Sequence, residues 1–454
     1  MFRFAIHVYG CQMNVYDADR LRTSLLEKGW EEVAEDAADI VLFVTCSIRA
    51  KAEQKVWSEI GRLEHLHRSR EAPLVAVVGC MGQRLGKAFL NRFSNVRLVA
   101  GPRSLGRVPD GLEQVTKGGK PLLIIDDPKG LDDLECAPVR RENHWKAFLT
   151  IAHGCDNFCT YCIVPYVRGR FRSRDPGEIL NEVRELAADG VREISLIGQN
   201  VNSYGADFEN GYSFASLLRD VAAEKLVDRI RFYTSHPKDF TPDIVEAMRD
   251  NQEICPAINL PIQSGSDRIL KAMRRGYSLE EYATIVEMIR KGLPESAVTS
   301  DLIVGFPGET EEDFKASVQA LKRFRFDLLH SAAYSPREGT VASLMEDQVP
   351  ACEKKRRLNE VNGIQMKISA EINAALVGRT FEILVDGPAP KGEGLLQGRT
   401  VTDKVVIVEG PESLLGRLVQ VRIDRAGKWY LHGSVLPRGN SDGGRFTDEG
   451  SDEV

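Results

Sequence analysis

The chain of 454 residues predicts an α/β protein in three parts. These are an N-terminal parallel α/β sandwich, a central partial TIM-like (β/α)6 barrel and a small C-terminal antiparallel β-barrel. Three observations predict this. Short β-branched runs alternate with amphipathic stretches through the first two parts, as parallel βαβ units do. In the first part three such runs each lead into a cysteine. From about residue 378 the alternation gives way to short runs split by glycine-rich turns, the pattern of a small barrel.

The first part is expected over residues 1–125. Residues 4–8 lead into Tyr9-Gly10-Cys11, residues 40–44 into Thr45-Cys46, and residues 74–78 into Gly79-Cys80. Helices are expected over 17–28, stopping at Gly29, and over 51–66. Parallel strands end on one edge, where ligands bind in open α/β sheets. Cys11, Cys46 and Cys80 should therefore converge. Three thiolates could hold an iron–sulfur cluster with one iron left open. A single cysteine at a strand end is more often a buried small hydrophobe than a ligand; matching positions in successive units favour ligation. An acidic, proline-bearing linker follows over 126–145. Its Cys136, with Cys255 and Cys352, has no partner pattern and is expected not to be a ligand.

The second part is expected over 146–377. Strands are predicted over 147–152, 193–197, 230–234, 257–261, 297–304 and 328–334. One helix starts at Asp175-Pro176 and stops at Gly190, a good cap, first residue and terminator. Others are expected over 213–224, 266–275, 279–291 and 311–324. Catalytic groups in such barrels gather at strand C-termini. After the first strand stands His153-Gly154-Cys155-Asp156-Asn157-Phe158-Cys159-Thr160-Tyr161-Cys162. Its C-x3-C-x2-C spacing can hold three irons of a cubane cluster and leave the fourth open to another ligand. A zinc site with His153 as fourth ligand is the competing reading, although zinc usually takes two separated ligand pairs. The later strands lead into Gly198-Gln199-Asn200, Ser235-His236, Gln263, Asp301 and Arg337, which supply glycine or polar groups for a ligand. His236, before Pro237, reads as a turn residue.

The third part, 378–438, has strand candidates over 380–385, 404–408, 417–423 and 429–433. Small barrels of this kind often bind single-stranded or looped RNA; a structural cap is the alternative. Residues 439–454 read as a disordered acidic tail. The net charge of −6 argues weakly against nucleic acid, but distribution matters more than the sum. Arg168, Arg170, Arg172 and Arg174 form a basic run directly after the cysteine motif. No apolar stretch is long enough to span a bilayer, and the start lacks signal-peptide features. Nine cysteines without a compact paired framework suggest a reducing, cytoplasmic setting and metal ligation.

The C-x3-C-x2-C run closely resembles that of the radical S-adenosylmethionine (SAM) superfamily. The resemblance implies that SAM chelates the open iron, that an electron from the cluster yields a 5′-deoxyadenosyl radical, and that Tyr161 lies near the adenine. The chain as a whole resembles the methylthiotransferase family of radical SAM enzymes, in its MiaB-type branch acting on tRNA. The carrying residues are Tyr9-Gly10-Cys11-Gln12-Met13-Asn14, Thr45-Cys46-Ser47-Ile48-Arg49-Ala50-Lys51-Ala52-Glu53, Asn157 to Tyr166, Arg168-Gly169-Arg170 and Gly198 to Tyr204. Val44 departs from the asparagine frequent there.

The resemblance implies two [4Fe-4S] clusters, one on each cysteine trio, the Cys11 trio carrying a sulfur that becomes methylated. It implies a SAM pocket drawing on Tyr161, Gly198, Gln199, Asn200, Ser235, Gln263, Asp301 and Arg337, and a C-terminal TRAM domain. The implied reaction adds a methylthio group to carbon 2 of the N(6)-isopentenylated adenosine at position 37, beside the anticodon. The partners would be a tRNA anticodon stem-loop, a reductant and a sulfur donor, with the enzyme a monomer. The alternatives are threonylcarbamoyl-adenosine or a ribosomal-protein aspartate as substrate, or a non-catalytic RNA-binding iron–sulfur protein.

Overall fold

The computed structural model describes residues 2–47, 50–69, 73–125, 141 and 143–437. The expected linker, with Cys136, and the acidic tail lie almost wholly outside the described residues. Two compact units divide the chain, residues 1–368 and 369–454. The expected first and second parts thus share one unit.

The chain opens with β1 (Arg3–Tyr9), α1 (Gln12–Glu27), β2 (Glu31–Glu32), β3 (Ile40–Thr45), α2 (Ala50–Ser69), β4 (Leu74–Gly79), α3 (Cys80–Arg92), β5 (Val96–Ala100), α4 (Val108–Thr116) and β6 (Leu122–Ile124). The sheet order is β2-β1-β3-β4-β5-β6, every pairing parallel. Strand β3 shows why both faces are covered. Ile40, Leu42 and Val44 pack on one side with Leu21, Leu25 and Leu112, while Val41 and Phe43 pack on the other with Val56 and Phe89. A two-residue side-chain period sends alternate residues to opposite faces. Helix α1 begins five residues before the expected start, because Cys11 already serves as its cap.

The central part runs β7 (Lys146–Thr150), β8 (Ala152–His153), α5 (Val164–Arg168), β9 (Arg172–Ser173), α6 (Pro176–Ala188), β10 (Glu193–Ile197), α7 (Phe214–Ala223), β11 (Arg229–Phe232), α8 (Pro242–Asp250) and β12 (Ala257–Asn259). It continues through α9 (Asp267–Ala272), α10 (Leu279–Gly292), β13 (Ala297–Val304), α11 (Glu311–Phe324), β14 (Leu328–Ala333) and α12 (Ala351–Ala374). Strands β7, β10 and β11 form one parallel sheet and β12, β13 and β14 another, joined by a parallel bridge from Ile230 to Ile254. The six strands make the expected open barrel. Strand β12 is shorter than expected. Pro256 and Pro261 flank it, and neither can donate a ladder hydrogen bond. Helix α6 starts as read from sequence: Pro176 is its first residue and the Asp175 carboxylate accepts from the Glu178 N–H at 3.1 Å.

The second unit contains β15 (Thr380–Pro388), β16 (Leu395–Thr400), β17 (Val405–Glu409), β18 (Leu418–Ala426) and β19 (Leu431–Val435), closed in the order β15-β16-β17-β19-β18. Two corrections apply here. Strand β16 escaped the sequence reading, because Gly398 breaks its pattern; a Cβ there would stand 2.5 Å from the Leu384 carbonyl. The barrel is also not wholly antiparallel, since β17 and β19 run parallel. A closed ring of five strands cannot alternate direction at every step.

A buried charge layer closes the lower end of the central barrel. Glu193, at the start of β10, lies 3.0 Å from Arg231, 3.5 Å from Lys146 and 4.0 Å from Arg229. Burial would raise the Glu193 carboxyl, but Arg231, Lys146 and Arg229 together hold it below the usual range. Glu193→Gln should therefore destabilise the protein by about 3–5 kcal/mol, since it strands two buried arginines. Because the folded value is depressed, the carboxylate's contribution is full above its unfolded value and is lost as pH falls through the folded one. A urea midpoint for the variant equal to the parent's at neutral pH would contradict this.

Candidate functional site

Register brings the first three cysteines together. Tyr9 pairs with Thr45 and Thr45 with Gly79, so the three strands end level; Cys46 and Cys80 follow at once and Cys11 one residue later, after Gly10. The Asn14 side chain ties the edge: its Oδ1 accepts from the Cys11 N–H at 3.2 Å and its Nδ2 donates to the Thr45 carbonyl at 3.0 Å. Gly10 leaves the room, since a Cβ there would lie 2.8 Å from the Cys46 Cβ. Cys11 caps α1 and Cys80 is the first residue of α3. Helix N-termini favour thiolate over thiol. The Cys11 thiol is held down to about 6, first by its hydrogen bond with Cys46, with the Arg168 charge assisting. Burial pushes the Cys80 thiol up, against the Arg168 charge.

These three cysteines line one cavity of about 120 Å³ with Ser47, Arg168 and Gln199, several times the space a single water needs. The opposite wall comes from the barrel. Ile163 and Val167 of the α5 segment pack on Cys80, and Arg168 donates to Asp17 of α1 at 2.7 Å. The basic run is thereby split. Arg168 is buried on Asp17, and Arg174 is buried on Glu182 and the Thr150 carbonyl. Neither is a surface cation. Arg170 and Arg172 are exposed, Arg170 pairing with Asp156 at 2.7 Å.

The second trio sits on the loop between β8 and α5. Gly154 turns it at φ +70°, where a Cβ would collide with the Arg170 carbonyl. The Asn157 amide donates to the Cys155 Sγ at 3.5 Å, and the Arg275 guanidinium donates to the Cys159 Sγ at 3.3 Å. Burial pushes the Cys162 thiol up to about 12 and raises that of Cys155. Metal loading at such a site displaces protons. Burial, with Arg168 and Arg174, holds His153 neutral, down to about 3. Among the described residues no group of three His, Cys, Asp or Glu side chains is placed to hold a single metal ion. Cys255 is buried and Cys352 exposed.

The strand-end groups form a cradle with open valences. Gln199 Nε2, Asn200 Oδ1, Ser235 Oγ, His236 Nε2 and Gln263 Oε1 are buried atoms without a hydrogen-bond partner. Such atoms cost free energy unless a ligand or water meets them. Gln199 also accepts from the Gly154 N–H at 2.5 Å, so it touches the Cys155 loop while lining the Cys11 cavity. Gly198 lines that cavity too. Phe158, Thr234 and Gln263 take positive φ, the kind of strain that gathers at functional sites. Tyr161 stands beside Arg275. Asp301 accepts from Asn259 at 3.0 Å. Arg337 is buried and pairs with Glu53 of α2 at 3.3 Å, a partner no local pattern announced. Arg275 was missed, since its sulfur contact spans 116 residues. His236 is more than a turn residue: its backbone exchanges two hydrogen bonds with the Asn202 side chain.

Comparison with known proteins decides the family. Residues 149–321 match the radical SAM superfamily, 3–101 an uncharacterized protein family, UPF0004, and 374–436 the TRAM domain. A protein of Moorella thermoacetica named tRNA-2-methylthio-N(6)-dimethylallyladenosine synthase is 44% identical over 95% of this chain and 98% of its own. One of that name from Carboxydothermus hydrogenoformans is 43% identical over 95% and 99%. The chain belongs to this synthase family. Among solved structures, the cobalamin-bound radical SAM methyltransferase TsrM of Kitasatospora setae superposes with a TM-score of 0.57. It covers 87% of this chain and 81% of its own at 15% identity, which shows a shared fold. Membership in the synthase family brings SAM and a [4Fe-4S] cluster. The Cys155, Cys159 and Cys162 sulfurs, with two side-chain donors already aimed at them, fit that cluster. Gly154→Ala should keep the fold but lose most iron at this trio, because the left-handed backbone costs about 1–3 kcal/mol before the collision is counted. Iron analysis in a chain with Cys11, Cys46 and Cys80 changed to Ala checks it; full loading would contradict it.

Proposed function

We propose that this chain adds a methylthio group to carbon 2 of the N(6)-isopentenylated adenosine beside a tRNA anticodon, using two [4Fe-4S] clusters. The observation that carries this reading is the pair of cysteine trios joined by the α5 segment, in a chain 44% identical to a synthase of that name. The Cys155 trio would hold the cluster that binds SAM. The Cys11 trio would hold the second, within its own cavity. When bound, these groups supply the radical and the sulfur.

The chain's own residues hold, orient and shield. Arg275 and Asn157 fix two sulfurs of one trio. Asn14 and Gly10 fix the approach of Cys11 to Cys46. The unsatisfied atoms of Gln199, Asn200, Ser235 and Gln263 would take the polar groups of SAM, with Tyr161 beside them. Asp301 and Arg337 act at one remove, through Asn259 and Glu53. Apolar neighbours, among them Phe306 and Tyr334 next to Tyr161, keep water from a reactive intermediate.

The target base must leave its stack to be reached, as in enzymes that flip bases. In the second unit Trp429 and Tyr430 are exposed between β18 and β19, beside Lys428 and Arg425. Exposed aromatics among cations suit a looped RNA. No described helix is long and apolar enough to cross a membrane. A monomer in the cytoplasm, supplied with electrons and sulfur by other proteins, accords with this chemistry.

Two measurements test the reading. Anaerobically reconstituted protein should hold about eight irons, two cubanes of four, and the Cys155/Cys159/Cys162→Ala variant half as many. A parent that never exceeds one cluster removes the second site. Cys46→Ala should still release 5′-deoxyadenosine yet form no methylthio product; full product would remove the sulfur-carrying role.

A further prediction concerns RNA. Trp429→Ala should weaken binding of an isopentenylated anticodon stem-loop by about 1–3 kcal/mol, the usual worth of one stacked base, and leave SAM cleavage intact. Unchanged affinity would move the RNA elsewhere.

A further inference from the structure

Buried arginines normally face carboxylates, because an unpaired charge in the interior is costly. Arg168, Arg174, Arg231 and Arg357 obey this, with Asp17, Glu182, Glu193 and Glu309 as partners. Arg275 does not. It is 5% exposed, and its contacts are the Cys159 Sγ at 3.3 Å, the Tyr161 hydroxyl at 3.4 Å, the Tyr277 hydroxyl at 3.1 Å and the Pro261 carbonyl at 3.3 Å. The Tyr277 ring lies 5.3 Å from its guanidinium carbon. Every one of these groups is neutral except, once deprotonated, the thiolate. Among the described residues this buried cation therefore has no anion beside it unless the cysteine trio is charged.

A cubane held by three thiolates supplies that anion, and net charge and hydrogen bonds to sulfur set such a cluster's reduction potential. We propose that Arg275 is the counter-ion of the cluster on Cys155, Cys159 and Cys162, and that its charge makes this cluster easier to reduce. Arg275 is a positioning and tuning residue; it acts through Cys159. The geometry explains the arrangement around it. Tyr277 is itself anchored on the Pro261 and Ile262 carbonyls at 3.0 Å each, so the guanidinium is held on the sulfur by a fixed frame. The Cys11 trio makes the contrast. Its arginine, Arg168, is already neutralised by Asp17, so each trio meets a different net charge. The inference rests on the cluster reading of the Cys155 trio.

The test is a potentiometric titration of the full-length chain, without SAM, followed by the electron paramagnetic resonance of the reduced cluster. Cys11, Cys46 and Cys80 are replaced by Ala so that one signal remains. The presence of that signal in the parent tests the cluster reading; its midpoint in variants tests the role of Arg275. Arg275→Gln should cut the reduced-to-oxidised ratio at fixed poise about tenfold, the order expected for a hydrogen bond to a charged group, or about 59 mV for one electron. Arg275→Lys, which keeps the charge but not the fork, should recover part of the shift. Should Arg275→Gln fail to take up iron, Tyr277→Phe loosens the frame with the charge in place, and should lower the ratio by a smaller factor. A parent signal with an unmoved midpoint in Arg275→Gln overturns the proposal, as does a shift in Arg275→Lys equal to that in Arg275→Gln. If Tyr277→Phe is the variant measured, an unmoved midpoint overturns it too.

Discussion

Parallel pairing that ends β1, β3 and β4 level is the constraint on which the site depends. Side chains on a strand alternate between faces, so a slip of one residue would turn every inward group outward. Here both faces of β3 are filled, by Leu42 and Val44 on one side and Val41 and Phe43 on the other. The register is therefore fixed over the whole strand, and the one or two residues after each strand end are fixed with it. Cys11, Cys46 and Cys80 inherit their positions from a core far larger than the site. Asn14 and Gly10 then set how closely Cys11 approaches Cys46.

The second trio borrows the same rigidity through a short path. Cys162 is followed at once by Ile163 and the helix ending in Arg168, and these pack on Cys80 and Asp17. Met13 of α1 lies against Thr150 of the first barrel strand. Gln199 touches both loops. The Cys11 and Cys155 loops are thus held by one continuous packed wall. This suits chemistry in which misplacement by an ångström costs orders of magnitude in rate.

Much of this was legible in the sequence because it is periodic or local. Strand ends marked by cysteine, the Asp175-Pro176 cap and the C-x3-C-x2-C spacing depend on neighbours a few residues away. What escaped depends on distant partners or on exceptions to the period. Strand β16 was hidden by Gly398, whose value lies in the close approach of Leu384. The run from Arg168 to Arg174 reads as one basic stretch, yet burial divides it. Its first and last members each meet an acid that the sequence places elsewhere, Asp17 and Glu182. Arg275 carries no local signal, since Cys159 is far away in the chain, and the pairing of Arg337 with Glu53 is likewise distant.

The two trios present identical ligands, so ligand chemistry alone cannot assign them different tasks. Their surroundings can. The Cys11 trio lies at two helix N-termini, beside an arginine already balanced by Asp17, in a cavity roomy enough to admit a further group. There the hydrogen bond with Cys46 lowers the Cys11 thiol, while burial raises that of Cys80. The Cys155 trio lies against an apolar cluster containing Ile269, Met273 and Phe306, with Tyr161 at its edge, and beside a guanidinium without a carboxylate. A low-dielectric wall strengthens every charge interaction inside it. The environment that makes a buried guanidinium costly, where no described carboxylate meets it, is the one that would give Arg275 leverage over a cluster. The two trios are alike in their cysteines and differ in the residues around them.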